Sequence, residues 1–358
     1  MGTWQWAAYT HDEILKEHKV PLLINIDESP MPLVYANATG NIVRLGNQRN
    51  TYREPRRGAT RNEQRIHFTY VAMICNIPWI QEHLPQILII PERALPITEW
   101  ITIAAELPMN VYLLRQPSMW VSSKLHKKIL RLLRKCLRRL RIQHRYRVIV
   151  FADAFGGHIT KESMWAMKDY GFFFVLLPAG LTWLLQPLDV QTFVQVKRFL
   201  RARYCSLPLE GPPDRIVLQA LRDVLAAIAK YFVKKDWGYA FDSLGLNGAC
   251  PPTSKYIHTE LDWPTFPAIP RGRPTAEIIK RNTPGNRNLN AAAIDGCLPP
   301  LWFGPLLPAP PAVPPPPPGE PLPGPAPAAA PPPRRRLPRT FRTVSESSSS
   351  DGAATDES

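Results

Sequence analysis

Three aspartates stand where carboxylate chemistry is the first question to ask. Asp27 closes the apolar run that starts at Pro21, Asp153 closes the run that starts at Arg147, and Asp189 follows Gln186-Pro187-Leu188. A carboxylate at the end of a buried strand costs free energy unless it is hydrogen-bonded or metal-bound. Taken singly, each reads equally as a turn former or a helix cap. Taken together, two strand-end acids and one helix-start acid allow an oxygen-rich cluster on one edge of a sheet, the donor set that suits Mg²⁺ or Mn²⁺. Two such ions, about 3.5–4 Å apart, activate a water or a 3′-hydroxyl and stabilise the leaving oxygen of a phosphodiester. Asp153 and Asp189 are 36 residues apart, room for one helix, one strand and a turn; Asp27 and Asp153 are 126 apart.

The elements that must position these acids follow from hydrophobic periodicity. Pro21 to Asp27 and Arg147 to Ala152 read as buried strands. Met31 to Asn37, Asn41 to Leu45, Arg65 to Ile74, Gln86 to Ile90 and Phe172 to Leu177 read as further strands. Helices are expected over Trp120 to Gln143, Lys161 to Tyr170, Val190 to Cys205 and Asp214 to Val233, with Pro187 suited to a first helical position. Hairpin-like strands come first, then strands alternate with helices, which suits an α/β fold with a mixed sheet and helices on its faces.

The helix over Trp120 to Gln143 repeats apolar residues at three- and four-residue steps, from Leu125 through Ile129 and Leu133 to Leu137 and Leu140. Its other positions carry Lys124, Lys127, Lys128, Arg131, Arg134, Lys135, Arg138, Arg139 and Arg141, with Arg145 and Arg147 beyond, and no acid. Like charges at these spacings repel unless something anionic lies alongside. The face is therefore a candidate for salt-sensitive, sequence-independent contact with DNA phosphates, or a solvated helix face.

Bulk composition agrees with a nucleic-acid partner. Formal net charge is +15 over 358 residues, and excess positive charge attracts polyanions. The five cysteines are odd in number, widely spaced and without a CxxC pair. That argues against a disulfide framework or cysteine zinc site and favours cytosol or nucleus. No basic region followed by an apolar run opens the chain. The longest apolar stretch, Gly171 to Leu185, is interrupted by Pro178 and Gly180 and is too short to span a membrane. It reads as a buried strand, a turn and the approach to a helix.

Three segments carry a family resemblance: Asn25-Ile-Asp-Glu-Ser, Phe151-Ala-Asp-Ala-Phe-Gly-Gly-His158, and Leu177-Pro-Ala-Gly-Leu-Thr-Trp-Leu-Leu-Gln-Pro-Leu-Asp189 with Lys197 eight residues on. They resemble the DDE superfamily endonuclease domain, in the pogo-like branch of mariner-type transposases related to centromere protein B and jerky proteins. The resemblance spans about residues 20 to 247. It implies a ribonuclease-H-like fold, with Asp27, Asp153 and Asp189 as the metal-binding and catalytic acids. It also implies Mg²⁺- or Mn²⁺-dependent DNA strand cleavage and strand transfer with two ions. Glu28, His158, Gln186 and Lys197 are the accessory positions, His158 orienting a phosphate or a carboxylate, or simply packing. Ala154 departs from the Asn that many members carry after the second acid. Such transposases usually have an N-terminal helix-turn-helix region, and 26 residues before Asp27 are too few for one. A domesticated or truncated core that binds nucleic acid without catalysis is the alternative, and a homodimer is an assembly to test.

Composition shifts at the far end. The folded core is expected over 1–247 and a loop-rich extension over 248–298. From 299 to 358 a disordered tail is expected, first Pro-rich, then basic, then acidic and Ser-rich. The proline run Pro314 to Pro318 is a ligand for SH3- or WW-type domains or a spacer. The cluster Arg334 to Arg342 is a nuclear import signal or an incidental basic patch.

Overall fold

The computed structural model describes residues 1–32, 67–108, 110–117, 121–154, 158, 160–178, 180–206, 213–233, 235–248, 250–275 and 278. In chain order the elements are α1 (Gly2–Lys16), β1 (Val20–Pro32), β2 (His67–Cys75), α2 (Pro78–Gln81), β3 (Gln86–Pro91), α3 (Ile97–Glu106) and β4 (Val111–Gln116). There follow α4 (Ser123–Arg139), β5 (Tyr146–Asp153), α5 (Lys161–Tyr170), β6 (Phe172–Leu177), α6 (Thr182–Leu185), α7 (Phe193–Ser206), α8 (Pro213–Tyr231), α9 (Gly238–Ser243) and α10 (Lys255–Glu260).

Six strands form one sheet in the order β4-β3-β2-β1-β5-β6. β2 is antiparallel to both β1 and β3, whereas β5 runs parallel to β1 and to β6. This is the ribonuclease-H-like mixed sheet that the resemblance implied, with β4 added beside β3. The parallel strands explain the continuous apolar runs, because a strand covered on both faces has no polar side to alternate with. Leu22, Leu23, Ile24 and Ile26 of β1 and Ile149 through Ala152 of β5 are all buried.

Three features differ from the reading of the sequence. Asp27 does not end its strand, because β1 continues to Pro32 with Asp27 paired to Ala72 of β2. What ends near Asp27 is the pairing with β5, at Asn25 and Phe151. The acid thus sits where one neighbour has run out and the other continues. The strand expected from Met31 is the tail of β1; its remainder, and the strand expected over Asn41 to Leu45, lie outside the described residues. Two elements had no strong periodic signal: α3, and β4, whose VYLLRQ pairs in parallel with β3.

α1 was hidden by its aromatic composition. Trp4, Trp6, Ala7, Ala8 and Tyr9 are buried nearly all round, a pattern without a polar face to mark the period. The extension beyond 247 explains part of this burial. Trp263 and Phe266, after α10, lie 6.1 and 5.0 Å (ring centroids) from Trp4, and Trp4 Nε1 donates to the carbonyl of Leu244. Among the described residues no helix is long and apolar enough to cross a membrane. The proline-rich, basic and acidic segments from 299 to 358 lie outside the described residues.

Candidate active site

Sheet register brings the first two acids side by side. β1 and β5 pair in parallel with a constant offset, Val20 beside Tyr146 and Asn25 beside Phe151. The paired register stops there; carried two residues further, the same offset points Asp153 towards Asp27, and the two carboxylates are within electrostatic reach of each other. Alternation along β1 puts Asn25 and Asp27 on one face of the sheet and Glu28 on the other.

Asn25 brings in the third acid. Its fully buried side chain donates from Nδ2 to the Phe151 carbonyl at 3.0 Å and accepts at Oδ1 from the Leu188 amide at 2.9 Å. One amide thereby ties β1, β5 and the turn before Asp189 together. That turn is π-helical from Leu188 to Thr192 and leads into α7. Such wide turns inside helices occur often at functional sites. Asn25 carries no role of its own in the sequence analysis, although an amide two residues before Asp27 in an otherwise apolar run is a usable signal. Asn25→Ala would leave two buried backbone groups without partners, each worth about 1–3 kcal/mol. We expect a loss of about 2–4 kcal/mol in urea denaturation; a loss under about 0.5 kcal/mol would show that the tie is not structural.

Electrostatics registers the convergence. Burial pushes the Asp27 carboxyl well above the usual carboxylate range, and the charges of Asp189, Glu28 and Asp153 push it further. Burial also raises Asp189, with Asp153 adding to the effect and Lys197 opposing it. Lys197 therefore lies within electrostatic reach of the site, its ammonium 5.7 Å from the Phe193 ring centroid. Gln186 is fully buried, and neither atom of its side-chain amide has a hydrogen-bond partner among the described residues.

His158 joins the two remaining acids. Its Nδ1 lies 2.6 Å from Asp153 Oδ1 and its Nε2 3.0 Å from Glu28 Oε1. Burial alone would lower its pKa, but Glu28 and Asp153 more than offset this and hold it well above the ordinary histidine value. Both ring nitrogens then donate, and the ring is an imidazolium clamped between two carboxylates. Behind it stands His126 of α4, ring centroids 4.6 Å apart, with its Nδ1 3.0 Å from Ser163 Oγ. Burial, then the charge on His158, hold His126 well below its usual value, so it is neutral. His126 and Ser163 were not foreseen; a histidine on the apolar stripe of a basic helix gave no sign of its partner.

Carboxylate oxygens are a donor set that suits Mg²⁺ or Mn²⁺, and the mutual repulsion at Asp27 is what a bound cation would relieve. The residues present therefore fit a divalent ion in charge and donor type. They do not form a finished shell: among the described residues no three acidic, His or Cys side chains already converge to hold a metal ion. One oxygen of Asp153 is engaged by His158 instead.

The basic helix is built as its pattern required. Ser122 caps it, its side chain accepting from the Leu125 amide, and Leu125, Ile129, Leu130, Leu133 and Leu137 are buried. Lys124, Lys127, Arg131, Lys135, Arg138, Arg139 and Arg141 are exposed, whereas Lys128 and Arg134 are half-buried. Arg134 is committed within the molecule. It donates to the Asp169 carbonyl at 3.0 Å and lies 4.7 Å over the Tyr170 ring. Helix α4 ends where Arg141 takes a left-handed conformation, φ 52°.

Residues 68–242, just under half of the chain, match the model of the DDE superfamily endonuclease family. Asp153, His158, Gln186, Asp189 and Lys197 fall within the matched stretch; Asp27 and Glu28 precede it. Among solved structures the chain is similar to the mariner Mos1 paired-end complex with Mg, at 15% identity and a TM-score of 0.38, over 72% of this chain and 62% of that one. It is also similar to the Mos1 transposase paired-end complex with left transposon end, at 13% identity and a TM-score of 0.32, over 69% and 62%. A third is the Mos1 mariner paired-end complex with Mn, at 13% and 0.32, over 69% and 63%. The chain thus spans less than two thirds of the length of these chains. No curated protein matches it.

Proposed function

We propose that this chain is the core of a divalent-metal-dependent DNA strand-cleaving and strand-transferring enzyme, with Asp27, Asp153 and Asp189 as the metal ligands. The observation that carries the reading is the burial of Asp27 within electrostatic reach of both Asp153 and Asp189, from three separate stretches of chain. Structural proteins rarely keep such a repulsive group, because nothing in the fold gains from it.

When bound, Mg²⁺ or Mn²⁺ polarises the phosphodiester and activates its attacker. Water attacks phosphorus, the P–O3′ bond breaks, and a 3′-hydroxyl and a 5′-phosphate result. The freed 3′-hydroxyl then attacks phosphorus of a second phosphodiester, whose own P–O3′ bond breaks as the new one forms, so that a target 3′-hydroxyl leaves. The chain's own residues do the rest. Asn25 fixes the spacing of the three acids, and the imidazolium of His158 aims Asp153 and holds Glu28 beside it. Lys197 offsets part of the negative charge that would otherwise repel a phosphate. The exposed cations of α4 hold the DNA backbone, and Gln186, three residues before Asp189, offers a buried amide that has no partner among the described residues. Nuclear work is the setting that DNA and the cluster Arg334 to Arg342 suit.

A nicking assay on supercoiled DNA with Mg²⁺ or Mn²⁺ tests this reading, wild type against Asp153→Ala. Equal activity in the two removes it. A second reading, nucleic-acid binding without catalysis, is favoured by the engagement of Asp153 with His158. It is selected if DNA retention is intact and no metal supports nicking.

A further inference from the structure

The strand-cleaving chemistry leaves one buried histidine without a task. His126 lies on the inner face of α4, fully buried, whereas Lys124 and Lys127 beside it in the chain are exposed. Its Nε2 has no hydrogen-bond partner among the described residues. A buried polar atom left unpaired costs free energy that an apolar ring of similar size would not. Packing alone therefore does not explain an imidazole at this position.

The other ring nitrogen supplies the reason. Nδ1 lies 3.0 Å from Ser163 Oγ, in the first turn of α5. Ser163 is fixed in its turn. Thr160, the N-cap of α5, donates to its hydroxyl at 3.0 Å and accepts from its amide at 3.2 Å. A ring without such a bond has a broad, two-fold second torsion and turns within its space. The contact with Ser163 removes that freedom and gives the His126 ring a set plane.

His158 lies against that plane, ring centroids 4.6 Å apart and tilted by 46°. Asp153 and Glu28 engage its two nitrogens at 2.6 and 3.0 Å. Those two bonds fix where the nitrogens point. Rotation about the line that joins them is limited only by what touches the face of the ring, and His126 touches it. The contact needs an uncharged neighbour, since a second imidazolium would repel the first. Burial and the charge on His158 keep His126 neutral.

We propose that His126 is a positioning residue: pinned by Ser163, it sets the plane of the His158 ring and, through it, the direction in which Asp153 presents its second oxygen. The proposal deepens the strand-cleaving reading and rests on it for its kinetic consequence. A line of fixed groups, Thr160, Ser163, His126 and His158, then runs from α5 across the buried face of α4 to the carboxylates.

His126→Phe separates this role from packing. It fills similar space without the unpaired nitrogen, and Ser163 keeps Thr160 as a partner, so its melting temperature should equal or exceed that of wild type. Its nicking rate at saturating DNA should nonetheless fall about tenfold, the lower end of the range for groups that orient a ligand from behind. The KM for DNA should stay within about twofold, because ground-state binding is untouched. A second readout needs neither metal nor turnover. The Nδ1 proton of His158, in its 2.6 Å contact with Asp153, should give a sharp downfield proton resonance in wild type. The signal should be absent from His158→Gln and broadened in His126→Phe. Ser163→Ala frees the His126 ring without altering it and should repeat both effects, which covers a His126→Phe protein that fails to fold. A wild-type rate or an unaltered resonance in these variants overturns the proposal and leaves the enzymatic reading standing. A wild type that nicks with no metal, alongside a resonance that broadens in the variants, overturns the enzymatic reading and supports the positioning of His158.

Discussion

Replacing Asp153 by alanine is expected to reduce metal-dependent nicking by about a thousandfold or more. A ligand that positions a Lewis-acidic ion contributes several kcal/mol to the transition state, and about 4 kcal/mol corresponds to three powers of ten in rate. Folding should survive. Asp153 is the last residue of β5, its side chain is 28% exposed, and its carboxylate is hydrogen-bonded to His158. The measurement is initial nicking rate on supercoiled DNA at saturating Mn²⁺, with DNA retention as control. Retention should change little, because the proposed contact with the backbone is made by the exposed cations of α4 and not by the acid. A rate within tenfold of wild type would contradict the assignment of Asp153.

The second large effect concerns stability. Asp27 has its folded pKa raised above the unfolded value, by burial first and then by its acidic neighbours. A carboxyl raised in this way binds its proton more tightly when folded than when unfolded. Folding stability therefore falls as pH climbs from about 3.9, and the penalty is complete above the folded pKa. Asp27→Asn removes it. Without metal, the variant should melt above wild type at pH 8, and the gap should narrow towards pH 4. With metal the order should reverse. An ion at a hundred times its dissociation constant stabilises by about 2.7 kcal/mol, or roughly 4–5 °C for a folded body of about 250–300 residues. Wild type should show that rise with Mn²⁺, more steeply at higher pH as protons leave the site. Asp27→Asn should show almost none. Equal metal-dependent shifts in the two proteins would exclude Asp27 as a ligand.

Much of the fold was legible because the parallel centre of the sheet is written as unbroken apolar runs, and the helices after it as three- and four-residue repeats. β6, α5 and α8 fell close to their expected bounds for that reason. α1 was not legible: buried on nearly all sides by sheet and extension, it has no polar stripe to reveal its period. Asp27 was found as a residue but misjudged in place, since the pairing of β1 with β2 runs on to Pro32 and only the β5 partner stops. The register that aligns Asp27 with Asp153 was implicit in the 126-residue offset, yet an offset becomes a contact only once the two strands are known to be neighbours. The link between Asn25 and Leu188 could not be read, being a hydrogen bond across 163 residues. That His158 meets a carboxylate was among the expectations; that it meets Asp153 and Glu28 together is a choice of rotamer no sequence shows.

The most direct measurement of the central claim is anomalous diffraction from a crystal of this protein soaked in Mn²⁺. The account predicts a peak about 2.0–2.3 Å from carboxylate oxygens of Asp27, Asp153 and Asp189, with Asp153 swung away from His158. Mn²⁺ bound elsewhere, with Asp153 still held by His158, would contradict it.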